Sequence, residues 1–253
     1  TLTGGLRRFD YERSFQFFSA GVFGNKDTFD KLEETGTNFK ANLSYKPNED
    51  TLVYAQWAEG FRLGDARSPL PAVTCDVNND GILDGTTVPN SGSFDSDSAE
   101  NFELGAKLTL LDNRLQINTA VYQIDWQDIP LRVFAGPLPG QVQTCFSGVV
   151  ANAGEARSQG FEVETSYLLN QNLHITLGGA YTSVELTGVA PGVSGVFSKG
   201  DRLSSFPEVS VNLGLQYEFE LGGYTTYARG DYAYVGEFFS KVGEQGGRAG
   251  DYS

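Results

Sequence analysis

Apolar and polar residues alternate along most of this chain with a period of two, the spacing that puts successive side chains on opposite faces of a strand. Phe39, Ala41, Leu43 and Tyr45 alternate with Lys40, Asn42, Ser44 and Lys46. Phe102, Leu104, Ala106, Leu108 and Leu110 alternate with Glu103, Gly105, Lys107 and Thr109. Phe161, Val163, Thr165, Tyr167 and Leu169 oppose Glu162, Glu164 and Ser166, and Leu173, Ile175, Leu177 and Tyr181 oppose His174, Thr176 and Thr182. Val209, Val211, Leu213, Leu215, Tyr217 and Phe219 stand against Ser210, Asn212, Gln216, Glu218 and Glu220. Leu115, Ile117 and Val121 against Gln116 and Asn118 give another strand, and residues 2–13, 51–62 and 224–237 read as three more, about nine in all. No segment carries a convincing helical period.

The connections alternate as well. Short turns at 47–50, 111–114, 169–172 and 221–223 supply the Pro, Gly, Asn and Asp that tight reversals require. Between them the pattern predicts long loops over roughly 14–38, 63–100, 130–159 and 187–208. Short turns at one end and long loops at the other describe an antiparallel meander with unlike ends, as in outer-membrane barrels. Strands of about 9–12 residues exceed the ~5–6 usual in soluble sheets and match the ~9–11 of a tilted membrane strand. Aromatics such as Tyr45, Phe102, Tyr167, Tyr181, Tyr217 and Phe9 recur near strand ends, as in an interfacial girdle. The competing reading is a soluble sandwich, whose strands are shorter and whose loops are less one-sided.

Composition then removes alternatives. Of 253 residues, 18 are Lys or Arg and 32 Asp or Glu, so the formal charge is −14. With no basic patch in view, a nucleic-acid partner is not expected. The 40% hydrophobic content is too high for a disordered chain. No apolar run approaches the ~18–20 residues of a membrane helix, which is what alternation between a lipid face and a bore face produces.

Particular stretches resemble a known family. Tyr45-Lys46-Pro47, a short turn, then Leu52, Tyr54 and Gly60-Phe61-Arg62 are similar to the barrel of TonB-dependent outer-membrane receptors. Glu103, Gly105 and Lys107 resemble that family's next strand, and residues 121–129 the one after. Asn152-Ala153-Gly154, Ala156, Gly160, Glu162 and Glu164 resemble a further element, and residues 2–7 an earlier strand. The resemblance keeps its order over most of the chain. It implies an all-β, transmembrane antiparallel barrel of roughly 22 strands, of which residues 1–253 carry about nine and leave the barrel incomplete. The plug, the early strands and the last strands are then missing, because nine strands cannot close such a barrel and an open edge is not tolerated in lipid. The implied activity is TonB-dependent import of a bulky, scarce ligand, most often a ferric siderophore, with cobalamin or oligosaccharide as further ligands. The implied partners are outer-membrane lipid, the TonB complex through the missing plug region, and a siderophore-like small molecule. A passive porin or surface-binding barrel would share the same strand physics.

The chemistry expected of the side chains is modest. Cys75 and Cys145 fall in two long loops on the extracellular side and are expected to form a disulfide in an oxidising compartment. After Cys75, the run Asp76, Asn78, Asp80, Ile82 and Asp84, with Gly81 at the sixth position, matches the start of a calcium loop. The twelfth position is Thr87 rather than Glu, so an ordinary EF-hand is not supported; Asp95, Asp97 or Glu100 are candidates for a last ligand. Ca2+ is thus the one cofactor the sequence raises, and none is required. Gly60 and Gly160 are expected where a strand bends or a neighbour approaches. Glu103, Lys107, Glu162 and Glu164 are expected to pair with one another on the polar face. Arg62, Arg67, Arg132, Phe134, Arg157 and Arg202 are candidates for contacting an anionic ligand or for balancing nearby carboxylates. No H-E-x-x-H, G-x-S-x-G or phosphate loop is present, and the lone His174 sits beside a short turn, so no enzyme is expected.

Overall fold

The computed structural model describes residues 1–19, 26–142, 144–193, 197–242 and 247–253. In chain order its elements are β1 (Leu2–Ser19), β2 (Lys26–Asn48), β3 (Thr51–Arg62), β4 (Asp65–Ala66), the single helical turn α1 (Ala72–Cys75), β5 (Ser93–Phe94), β6 (Asp97–Leu110), β7 (Leu115–Phe134), β8 (Gly148–Leu168), β9 (Leu173–Val189), β10 (Val209–Leu221), β11 (Tyr224–Val235), β12 (Phe238–Phe239) and β13 (Arg248–Ala249). Nine of these form one sheet in the order β1-β2-β3-β6-β7-β8-β9-β10-β11, each pair antiparallel. It is the meander the alternation predicts, with β1 and β11 as its two edge strands, the latter meeting Tyr252 in a single antiparallel bridge at Val235. No helix among the described residues is long and apolar enough to cross a membrane.

The four short turns stand where the sequence places them, with visible chemical reasons. Leu111, Asp112 and Asn113 take positive φ between β6 and β7, and Gly222 and Gly223 do so between β10 and β11. The Asn48 side chain accepts the Asp50 N–H, and Asn170 accepts those of Asn172 and Leu173, so each Asn folds its own turn.

At the other end the strands run further than expected. The loops predicted over 14–38 and 130–159 are largely strand: β1 and β2 pair from Leu2↔Leu43 to Ser19↔Lys26, and β7 and β8 pair as far as Phe134↔Gly148. Residues 20–25, 143 and 194–196 of the predicted loops lie outside the described residues. The alternation misses these extensions because it reports the contrast between an apolar and a polar surround. Where both faces of a strand meet water or a mixed surround, the contrast disappears.

Two irregularities in the β7–β8 ladder set the architecture above the sheet. Two residues of β7, Gln127 and Asp128, oppose one of β8, and Asp128 takes φ 56°. The next step, from Ile129↔Gly154 to Pro130↔Asn152, places the extra residue in β8. A one-residue insertion exchanges the faces of all residues beyond it. Odd-numbered residues of β7 lie on the apolar face below the bulge, where Val121 is 48% exposed. Above it Ile129, Leu131 and Val133 turn inward and are buried, together with Val149 and Ala151 of β8 and Val184 and Leu186 of β9. This is where the core sits. It lies not within the nine-stranded wall but in the upper parts of β7–β9, closed over by loop residues Leu83, Val88, Val193, Phe197 and Leu203.

Candidate functional site

The wall presents two unlike faces. Its apolar face carries Leu43, Tyr45, Val53, Phe102, Leu104, Val121, Phe161, Leu177, Tyr181, Leu215 and Tyr217, all more than a third exposed. Its polar face is organised by side chains lying flat over glycines of the neighbouring strand. Tyr54 stands opposite Gly105, where a Cβ would come within 2.4 Å of the ring. Tyr122 does the same over Gly160, and Phe9 over Gly36. The Tyr54 hydroxyl donates to Glu103, and that of Tyr122 is 3.0 Å from Thr182 Oγ. His174 Nε2 lies 2.8 Å from Ser166 Oγ, on the same polar face near a short turn. The expected pairing among Glu103, Lys107, Glu162 and Glu164 is not found: no ion pair among the described residues joins them. Tyrosine takes the place of lysine as partner to Glu103. Gly160 matches its expected role, whereas a side chain at Gly60 would meet open space. Phe9, counted with the girdle from sequence, belongs instead to the polar face and stacks on Phe61 at 3.8 Å.

Above the wall the long loops form a built cap. Cys75 and Cys145 form the expected disulfide, with Cα atoms 4.9 Å apart across 70 residues of sequence. Arg67, which sequence reading offers as a ligand contact, is instead a structural tie. Its guanidinium is buried and donates to the carbonyls of Ser91, Pro89 and Val150 and to Ser91 Oγ. Burial pushes its pKa down, against the opposing pull of Asp95. Asn152 of β8 ties the same loop by accepting the Asp95 N–H and donating to the Asp95 and Asp128 carbonyls.

Where β3, β6 and β7 leave the apolar belt, three residues meet on the polar face. Arg62 grips buried Asp97 through Nε at 3.1 Å and Nη2 at 2.6 Å. The Trp126 indole N–H donates to the same carboxylate at 2.7 Å, and the guanidinium lies 5.3 Å from the Trp126 ring centre. Asp97 is 3% exposed while the Arg62 side chain remains more than half exposed, so the cation is oriented from behind and offered to the open side. A cavity of about 250 Å³ opens beside the three residues, bounded also by Phe61 and Ala99. It is smaller than the ~300–1,000 Å³ of a complete ligand pocket, as befits one wall of one. The sequence proposed Arg62 but missed Asp97 as its partner and Trp126 entirely.

The other candidates separate. Arg157 pairs with Asp125 at 2.6 Å, and Arg202 with Glu208 at 3.1 Å while lying over Phe239. Arg132 lies over Phe134 at 5.5 Å, both on the side of β7 turned away from the core. In the loop after Cys75, Asp76 and Asp84 are buried and Asn78, Asp80 and Ile82 exposed. The Asp76 carboxylate accepts the N–H groups of Asp80 and Gly81, Asp84 Oδ2 accepts that of Val77, and Asn78 donates its side-chain amide to Asp80. Asn79 and Gly81 supply the positive φ for this turn. Of the residues suggested as last ligands, Asp97 has its carboxylate claimed by Arg62 and Trp126, and Asp95 is tied to Asn152 through its backbone. Among the described residues no three carboxylate, imidazole or thiol groups converge on one point.

A single open sheet of this length, with one polar and one apolar face, is shared with proteins of known kind. The profile of the family described as TonB dependent receptor-like, beta-barrel, matches residues 1–253. The chain belongs to the TonB-dependent receptor β-barrel family. Among curated relatives it is 32% identical over 170 residues to the metal-pseudopaline receptor CntO of Pseudomonas aeruginosa, covering 64% of this chain and 21% of that one. The probable TonB-dependent siderophore receptor PiuA of Acinetobacter baumannii is 27% identical over 188 residues, covering 72% of this chain and 21% of that one. The fold matches the ferric yersiniabactin uptake receptor FyuA of Yersinia pestis at TM-score 0.74 and 17% identity, over 99% of this chain and 34% of that one. The chain thus spans about a fifth of its curated relatives and a third of that solved structure.

Membership in this family fixes the frame. The receptor wall belongs to the outer membrane of Gram-negative bacteria, and its relatives are receptors rather than enzymes. In such barrels the apolar band faces the bilayer, the polar face lines the bore, and short turns lie on the periplasmic side. By that rule the Arg62–Asp97–Trp126 cluster, on the polar face at the long-loop ends of β3, β6 and β7, lies toward the outer side. Arg132 and Phe134 face away from it.

Proposed function

We propose that this receptor segment forms part of the wall and outer mouth of an importer for a metal chelate of the siderophore kind. The observation that carries the reading is Arg62, held by buried Asp97 and backed by Trp126, with its exposed edge toward the mouth. A planar cation beside an aromatic face suits an anionic chelate whose organic shell is partly aromatic. The names of the relatives, a metal-pseudopaline receptor and a probable siderophore receptor, point to the same ligand class. In this reading further strands of the same polypeptide pair with the edge strands β1 and β11. Lipid covers the apolar face, and a plug in the bore couples transport to TonB.

The test is uptake of radioactive ferric chelates by cells whose only such receptor is the intact protein, with and without TonB. TonB-dependent uptake of at least one ferric chelate is expected. Arg62→Ala should weaken chelate binding about tenfold, as loss of one charge-assisted contact worth ~1.4 kcal/mol would. Entry without TonB would show a passive pore, and uptake of cobalamin or oligosaccharide in place of any ferric chelate would refute the ligand class.

A further inference from the structure

We propose that the loop following Cys75 is a calcium site, formed by Asp76, Asn78, Asp80, the Ile82 carbonyl and Asp84. The spacing of oxygen side chains at positions one, three, five and nine, with glycine at six, suggests the ion, and a separate observation about charge supports it. Asp76 is 4% exposed and Asp84 6%, yet neither carboxylate has a Lys, Arg or His partner in any ion pair of the described residues. Asp84 reaches back across the loop, its Oδ2 accepting the N–H of Val77, the residue next to Asp76. Its Oδ1 is buried with no hydrogen-bond partner at all. Two buried carboxylates in one ten-residue loop, one with an oxygen left bare, call for a cation, because an uncompensated buried charge is strongly unfavourable.

The surrounding structure holds the loop in place. The Asp84 N–H donates to the Cys75 carbonyl and the Asp84 carbonyl accepts the Gly136 N–H, so both ends of the loop are anchored beside the disulfide. Calcium loops use amide and carbonyl oxygens as freely as carboxylates and accept water in place of a ligand. Because no three carboxylates of the described residues converge on one point, Asp84, at the ninth position, acts on the ion through a water. Asp80 and Asn78 lie on the exposed side, which leaves a path for entry of the ion. The hard, oxygen-only donor set favours Ca2+ over a transition metal, and the extracellular position suits an affinity in the ~10⁻⁴–10⁻³ M range of extracellular modules.

The experiment uses the intact receptor in detergent, stripped with chelator, and titrates it with CaCl2 by calorimetry. Limited proteolysis of residues 63–96 is followed in parallel with calcium, magnesium or chelator. One calcium per receptor and slower cleavage of this loop in calcium, not in equimolar magnesium, are expected. Asp84→Asn and Asp80→Asn should each weaken binding at least tenfold, and Asp112→Asn, in a turn at the opposite end, should leave it unchanged. Asp80 is exposed, so its variant probes the ion without disturbing the buried side of the loop. No saturable calcium binding up to ~10 mM in the folded wild type would overturn the proposal. So would one bound calcium with unchanged affinity in both loop variants.

Discussion

β7 runs through two regions that treat the same residues in opposite ways. In its lower part Val121 is 48% exposed on the wall's apolar face, while twelve positions further on Val133 is 1% exposed inside the cap. Both are odd-numbered valines in one continuous strand. The wall holds together by its ladders and by contact with a surround that is itself apolar. The cap holds together as a water-soluble domain does, by excluding water from a core, and adds a disulfide. The bulge at Gln127–Asp128 makes the change, rotating the apolar set from the outside of the barrel to the inside of the cap. Hydrophobicity therefore does not say where a residue goes until the local solvent is known.

Three sets of substitutions probe this contrast. The largest effect is expected from replacing both Cys75 and Cys145 by Ser, which reopens a 70-residue loop in the unfolded state. By chain entropy this costs the cap about 4 kcal/mol. Protease should then cut the segment 63–96 readily while the wall stays resistant. Equal loss of resistance in the wall would show that the two regions fold as one unit. Next comes a matched pair within β7. Val133→Ala leaves a cavity in the cap core and should cost about 2 kcal/mol, whereas Val121→Ala should cost less than half of that, since lipid or detergent tails flow into the gap. Thermal unfolding of the intact receptor measures both, and equal shifts would place Val121 in a packed interface. The smallest effect is Gly160→Ala, which pushes the Tyr122 ring off the wall. It should cost toward the low end of the ~1–3 kcal/mol of overpacking, because the atoms met are the free end of a side chain. Adding Tyr122→Ala should recover part of that loss.

The wall was legible in the sequence and the cap was not, for one reason. Between Leu115 and Val121, or Val209 and Phe219, one face meets an apolar surround and the other water, and the alternation writes this directly. In residues 14–38 and 130–159 the strands continue, but Phe18 breaks the alternation of Phe15 and Phe17, and Leu32 stands alone between Lys31 and Glu33, so the pattern does not mark two faces. The cysteine pair was legible because two thiols in an oxidising compartment have few alternatives. The tie made by Arg67 was not, since nothing in its neighbours marks a guanidinium that will be claimed by the distant Val150 carbonyl. The mouth cluster falls between. The Gly60-Phe61-Arg62 run stands out, but Trp126 joins it only through two registers, β3 with β6, which brings Asp97 opposite Arg62, and β6 with β7, which brings Ala99 opposite Trp126.

The glycines beneath Phe9, Tyr54 and Tyr122 have a consequence for clearance and for inheritance. A ring lying flat on the wall narrows the channel by about one atomic layer, ~3.5 Å, where a ring standing upright would intrude by its whole length. The polar face therefore presents ring faces instead of ring edges. The smooth lining depends on two residues at each place, one on either strand. Relatives that lose the glycine are therefore expected to have exchanged the aromatic as well, and the pairs 9 and 36, 54 and 105, and 122 and 160 should change together.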